Sequence, residues 1–218
     1  LTRAAAAVES SIMSARTDPP QKSVEVRTPR RKPESLAKIK KAARKLFVER
    51  GYHATRPQDI AREAGLGHGT FYLHFPDKRA CFLSFVEEAR EELDAYVRDR
   101  VNDRMTLEEL IANTLHAIFE YTHTHPGVLN AALTDEAVID AEGAQAVPLV
   151  QQWGYDWGAT LMKAASAGHI APFYDADIIG QAIVGSIHQA TSEAARTERD
   201  RHDVVRNLTQ FLVRALKA

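Results

Sequence analysis

Between His68 and Lys78 the chain places His68, Gly69, Thr70, Tyr72, His74 and Lys78 close together. Imidazole, hydroxyl, phenol and ammonium groups in one short run can meet base edges and phosphate oxygens, and a glycine lets backbone come close to a partner. His68 can donate to guanine N7 or O6. The chemistry is that of recognition rather than bond-making. The chain carries no nucleophile elbow, no metal quartet and no paired-glycine cofactor loop, so no catalytic centre, metal site or cofactor is expected.

The elements that must position these residues can be read outward from them. Gly51-Tyr52-His53-Ala54-Thr55 reads as a helix exit and a short turn. Thr55 can cap the next helix and Pro57 suits its first turn. That helix, Gln58 to Ala64, turns Ile60 and Ala61 inward, and Ala61 is small enough for a close crossing. Gly65 supplies a sharp turn above Leu66, and a second short helix runs from His68 to Phe75, with Phe71 and Phe75 inward. Thr55 and Lys78 stand at helix N-termini aimed towards phosphates. For His74 a packing role stays open beside a contact role. Two short helices joined by a glycine turn, braced by a preceding helix, form a helix-turn-helix.

The run Gly51-Tyr52-x-Ala-Thr, then Ile60-Ala61-x-x-Ala64-Gly65-Leu66-x-x-Gly69-Thr70-Phe71-Tyr72-x-His74-Phe75-x-x-Lys78 resembles the DNA-binding domain of the tetracycline-repressor (TetR) family. The resemblance covers Ile39 to about Phe85. It implies an all-α fold, a transcriptional regulator that is not an enzyme, a double-stranded and palindromic operator, and release by a small-molecule effector. Regulation without an effector, or activation, is the alternative. It also implies that Tyr72 and His74 are phosphate or base-edge ligands. Gly67 departs from the pattern, standing where the family usually has Ser or Thr as a helix cap.

Composition supports a division of labour. Residues 1–80 hold 17 Lys and Arg against 8 Asp and Glu, although the whole chain has a net charge of −1. A basic first part and an acidic remainder suit a nucleic-acid partner for the first part alone. Residues 1–33 lack helical periodicity and contain four prolines, so a disordered tail is expected, its Arg27, Arg30, Arg31 and Lys32 either lying along DNA or simply solvated. Leu1 and Met13 point to an unusual start codon or a misassigned upstream start. A helix-turn-helix domain over 34–80 and a helical effector-binding and dimerisation domain over 81–218 follow. Neither a signal peptide nor an apolar run of membrane length is apparent, and the single cysteine, Cys81, fits a cytoplasmic protein in which it is a small buried residue.

In the second part, helical spacing predicts a long helix from Pro76-Asp77, one opened by a capping box at Thr106-Leu107-Glu108-Glu109, and one over Val128 to Ile139. Others run from Pro148 to Ala167, from Asp175 or Asp177 to Ala195, and from Asp203 to Leu216. The resemblance makes the middle helices an effector region. Phe85, Tyr96, His116, Phe119, Tyr121, Trp153, Trp157 and Met162 are its candidate lining residues, suited to an apolar or aromatic ligand. Trp153 and Trp157 share a helix face, which suits core packing equally well. His123 and His125 beside a helix break lack a carboxylate partner for a metal. By the same resemblance the last two helices pair with those of a second copy, through Ile179, Ile183, Ser186 and Ala190 on one and Val204, Leu208, Phe211 and Leu212 on the other.

Overall fold

The computed structural model describes residues 33–102, 104–134, 147–168, 170 and 175–216. Among these residues nine helices and no strand occur. They are α1 (Pro33–Ala54), α2 (Pro57–Glu63), α3 (His68–Tyr72), α4 (Lys78–Arg98), α5 (Leu107–Thr124), α6 (Val128–Thr134), α7 (Leu149–Ser166), α8 (Ala176–Arg196) and α9 (Arg201–Leu216). The all-α expectation holds. The expected tail, and the stretch of the sixth helix running to Ile139, lie outside the described residues.

Several helix ends follow directly from local chemistry. Asp77 caps α4 by accepting from the Ala80 amide, and Asp175 caps α8 by accepting from Asp177 and Ile178. Thr106 and Glu109 form the full reciprocal capping box on α5. Gly51 interrupts the helical backbone of α1 at φ 75, ψ 172, where the exit was expected, and the last turn continues to Ala54.

Two apolar cores organise the described chain. The first joins Ile39, Leu46 and Phe47 of α1, Ile60 of α2 and Phe71 of α3 to Phe82, Phe85 and Leu93 of α4, and reaches Tyr121 and Val128. Phe47 meets the edge of Phe82 at 5.1 Å and lies 5.6 Å from Phe85, an aromatic cluster that fixes α4 beneath α1. This core runs well past residue 80, so the helix-turn-helix shares its interior with the first half of α4. The second core joins Ile111 and Leu115 of α5, Leu161 of α7, Ile183 and Ile187 of α8, and Leu208 and Leu212 of α9.

Polar links tie α1 to α4 along one side. Arg44 donates to both oxygens of Glu92, at 2.6 and 2.7 Å, and Lys40 pairs with Glu88 at 2.5 Å. The buried Tyr121 of α5 donates to the same Glu92 at 3.0 Å. Burial alone would raise the Glu92 carboxyl, but the bonds from Arg44 and Tyr121 outweigh it and hold the group below its ordinary value.

The closest helix crossing lies between α7 and α8. A Cβ added to Gly180 would fall on the Gly154 carbonyl oxygen and 2.7 Å from the Gly158 amide nitrogen. Those three glycines let the two backbones touch.

Candidate functional site

The helix-turn-helix is assembled as its sequence requires. Pro57 opens α2, and Ile60 and Ala61 are buried against α1. Gly65 takes φ 68, the left-handed conformation that closes the turn, and the Leu66 amide then bonds the Ala61 carbonyl at 2.9 Å. Gly67 caps α3 without a side-chain bond, as its residue type dictates. The helix itself is shorter than expected, ending at Tyr72, with Phe71 and Phe75 buried beneath it.

The six neighbouring recognition candidates separate by where they point. His68 and Gly69 are exposed at the start of α3, Thr70 is half-buried, and Tyr72 is 48% exposed with its ring edge-on to His68 at 5.3 Å. A Cβ on Gly69 would meet nothing within 4 Å, so this stretch of backbone is open to an approaching partner. His74 turns inward instead. Its Nε2 lies 2.7 Å from Ser35 Oγ, and its Nδ1 is buried without a partner. Lys78 donates to the Tyr52 carbonyl at 2.8 Å and sits 4.0 Å over the Tyr52 ring, tying the start of α4 to the end of α1.

Thr55 corrects the sequence reading more sharply. It is fully buried, its hydroxyl bonds to the Gly51 and Leu46 carbonyls at 2.8 and 3.2 Å, and its amide bonds to Tyr52. Arg56 occupies the N-cap of α2. Thr55 therefore closes the end of α1 and offers neither side chain nor amide to a phosphate. Sequence pattern marked the right turn but could not say which helix the hydroxyl would serve.

Where the two cores meet, α4, α5, α6, α7 and α8 enclose a cavity of about 270 Å³. Its walls include Leu93 and Val97 of α4, Ile118 of α5, Trp153 and Trp157 of α7, and Ile187 of α8. Of the eight aromatic, His and Met candidates, only the two tryptophans line it. Phe85 is spent on the first core, and Tyr121 is buried with its hydroxyl on Glu92. Tyr96 packs edge-on against Tyr121 at 5.5 Å. His116 is exposed 6.3 Å from His202, Phe119 borders a separate depression, and Met162 is 58% exposed. Residue type had selected them, whereas the cavity is walled largely by aliphatic residues and by Asp94, Thr114, Asp156, Thr160, His188 and Thr191. Those became legible only once four helices were set in register.

The stripes expected at an interface between copies also need revision. Ile183, Leu208 and Leu212 are buried inside the second core, and Ile179 and Ala190 pack against it. Ser186 and Val204 are half-buried, so of the eight only Phe211, at 59%, is openly exposed. The outward faces carry Ile178, Ala182 and Gly185 on α8 and Phe211 and Ala215 on α9. Gly180, small as it is, serves the crossing with α7.

Among the described residues no group of three or more His, Cys, Asp and Glu could hold a metal, and no helix is long and apolar enough to cross a membrane. Cys81 is buried, and burial pushes its thiol up to about 12. The His125 ring lies 4.8 Å from that of Tyr121, tilted by 48°.

A short exposed helix, held by a glycine turn on a second helix and braced by a third, is a helix-turn-helix. Residues 39–85 match the model of the bacterial regulatory proteins of the tetR family. It is 37% identical over 79 residues to the uncharacterized HTH-type transcriptional regulator YerO of Bacillus subtilis (strain 168), covering 36% of this chain and 25% of that protein. It is 34% identical over 77 residues to the HTH-type transcriptional repressor KstR2 of Rhodococcus jostii (strain RHA1), covering 34% of this chain and 38% of that one. The matched span is thus well under half of either relative. A solved structure described as the molecular basis for control of antibiotic production by bacterial hormones shares the fold over 86% of this chain and 100% of its own, with a TM-score of 0.67 at 21% identity.

Proposed function

We propose that the chain is a homodimeric transcriptional repressor that reads a palindromic operator through α3 and is released when a small molecule fills the cavity beside α4. The observation that carries this reading is the exposed His68, Gly69 and Tyr72 edge of a helix-turn-helix that matches the tetR-family model, with Thr55 and His74 turned inward beside it. His68, Thr70 and Tyr72 meet base edges and phosphates, with Gly69 admitting close backbone approach. Lys78 and His74 hold the unit's shape. Such a protein, with DNA as its partner, works in the cytoplasm.

A helix as short as α3 gives modest affinity alone, and two copies set roughly 34–36 Å apart supply the rest. The exposed faces of α8 and α9, with Ile178 and Phe211, suit that pairing because large apolar side chains in water gain by being covered. Release works through α4. That helix begins against α3 at Asp77 and lends Leu93, Asp94 and Val97 to the cavity wall. Glu92, one residue before that wall, is gripped by Arg44 of α1 and Tyr121 of α5. A ligand that prefers a shifted α4 therefore biases α1, and with it the spacing of the two recognition helices.

Gel shifts with the DNA upstream of the protein's own gene test the reading. Binding should weaken steeply as salt rises, and Phe211→Glu should weaken it while leaving the melting temperature of the subunit unchanged. Equal affinity for random DNA, or full operator binding by a monomeric Phe211→Glu, would contradict it.

A further inference from the structure

Three hydroxyls and two carboxylates around the cavity present acceptors to its interior. Thr114, Thr160 and Thr191 each donate their one hydroxyl proton to a carbonyl four residues back on their own helix, to Leu110, Asp156 and Ile187 at 2.8, 2.9 and 2.8 Å. What a threonine in that state offers a ligand is lone pairs. Asp94 and Asp156 add two carboxylates, and among the described residues no Lys or Arg lines the space. Arg90 reaches Asp94 at 2.9 Å, but Glu87 holds the same guanidinium through both oxygens, so acid still exceeds base there.

We infer that the cavity selects a small lipophilic cation, a protonated amine or quaternary ammonium with an apolar body. The inference rests on the reading of this cavity as the effector site. Its charged head would sit beside Asp94 and Asp156, and its apolar body against the aliphatic and indole wall. Ligands ending in a carboxylate or phosphate are disfavoured, because they would add a negative charge beside Asp94 and Asp156 where no Lys or Arg among the described residues lines the space. Burial raises the Asp94 carboxyl and neighbouring Asp156 raises it further, against the opposing pull of Arg90, Trp153 and Arg98. A bound cation would relieve that cost of ionisation.

Both tryptophans of the chain line this cavity, so tryptophan fluorescence reports on it specifically. The full chain is titrated near neutral pH with 4-phenylbutylamine, 4-phenylbutan-1-ol and 4-phenylbutyrate, which share a body and differ in head charge. The amine should bind about tenfold or more tighter than the alcohol, with the carboxylate weakest. Asp156→Asn, at an exposed position, and Asp94→Asn should each reduce the amine's advantage, with folding checked by circular dichroism. Equal binding of all three, or tighter binding of the carboxylate, overturns cation selection and leaves the cavity as an effector site. Undiminished amine preference in both variants also overturns it. No fluorescence response to any of the three overturns the cavity as a ligand site, and the effector reading with it.

Discussion

The two cores of this protein hold their polar residues in opposite ways. Around the first, the residues that could meet a partner stand outside a filled interior, with His68 and Tyr72 on the surface and Thr55 and His74 turned in to bind α1. At the edge of the second, polar residues face an unfilled space between helices. The first arrangement presents a rigid edge to a large ligand. The contrast sets the recognition edge apart from the cavity, and α4, which packs in the first core and lines the cavity, belongs to both regions.

The largest expected effect comes from closing the gap between α7 and α8. Gly180→Ala sets a methyl group against the Gly154 carbonyl, and backbone cannot step aside as a flexible side chain can. Urea unfolding should show a loss of about 3 kcal/mol. Gly69→Ala is the matching change in the other region, where the new methyl meets open space, and it should leave stability unchanged or raise it by about 0.5–1 kcal/mol. Equal losses for the two would erase the distinction between a packed glycine and an open one.

The joint between the regions comes next. Arg44→Ala removes the two-pronged grip on Glu92, part-exposed on both sides, and should cost about 1–2 kcal/mol in the same measurement. It should also weaken the response of DNA binding to any cavity ligand. A variant of unchanged stability and full ligand response would place the coupling elsewhere.

The smallest effect is on pH dependence. The Glu92 carboxyl lies below its ordinary value in the folded protein. Its contribution is therefore present above the unfolded pKa and lost as pH falls through the folded one. Melting temperature should drop from about pH 5 to pH 3, and Glu92→Gln should show a shallower drop. Identical profiles would mean that Glu92 carries none of the acid sensitivity.

How much of this was legible in sequence differs between the regions for a physical reason. The helix-turn-helix is contiguous, so turn chemistry at Gly65, inward positions at Ile60 and Phe71 and the exposed edge at His68 follow from local spacing. Even there, Thr55 misled, because a hydroxyl between two helices can serve either. The body draws its cavity from five helices, and no local pattern reveals which faces meet. Trp153 and Trp157 were found because they are large and rare. Asp94, Thr114 and Thr160 were missed because an acid or a threonine on a helix ordinarily faces water. The α8 and α9 stripes were real apolar faces, but Ile183, Leu208 and Leu212 were needed inside the subunit.

The central claim is that the exposed edge of α3 reads DNA while its inward neighbours only support it. Fluorescence anisotropy with labelled upstream DNA, run beside thermal unfolding, tests it on Tyr72→Ala and His74→Ala. Tyr72→Ala should lose about tenfold or more in affinity at an unchanged melting temperature. His74→Ala should change the melting temperature and, where it stays folded, keep its affinity. The reverse pattern, with Tyr72→Ala binding normally and a fully stable His74→Ala losing DNA, would contradict the account.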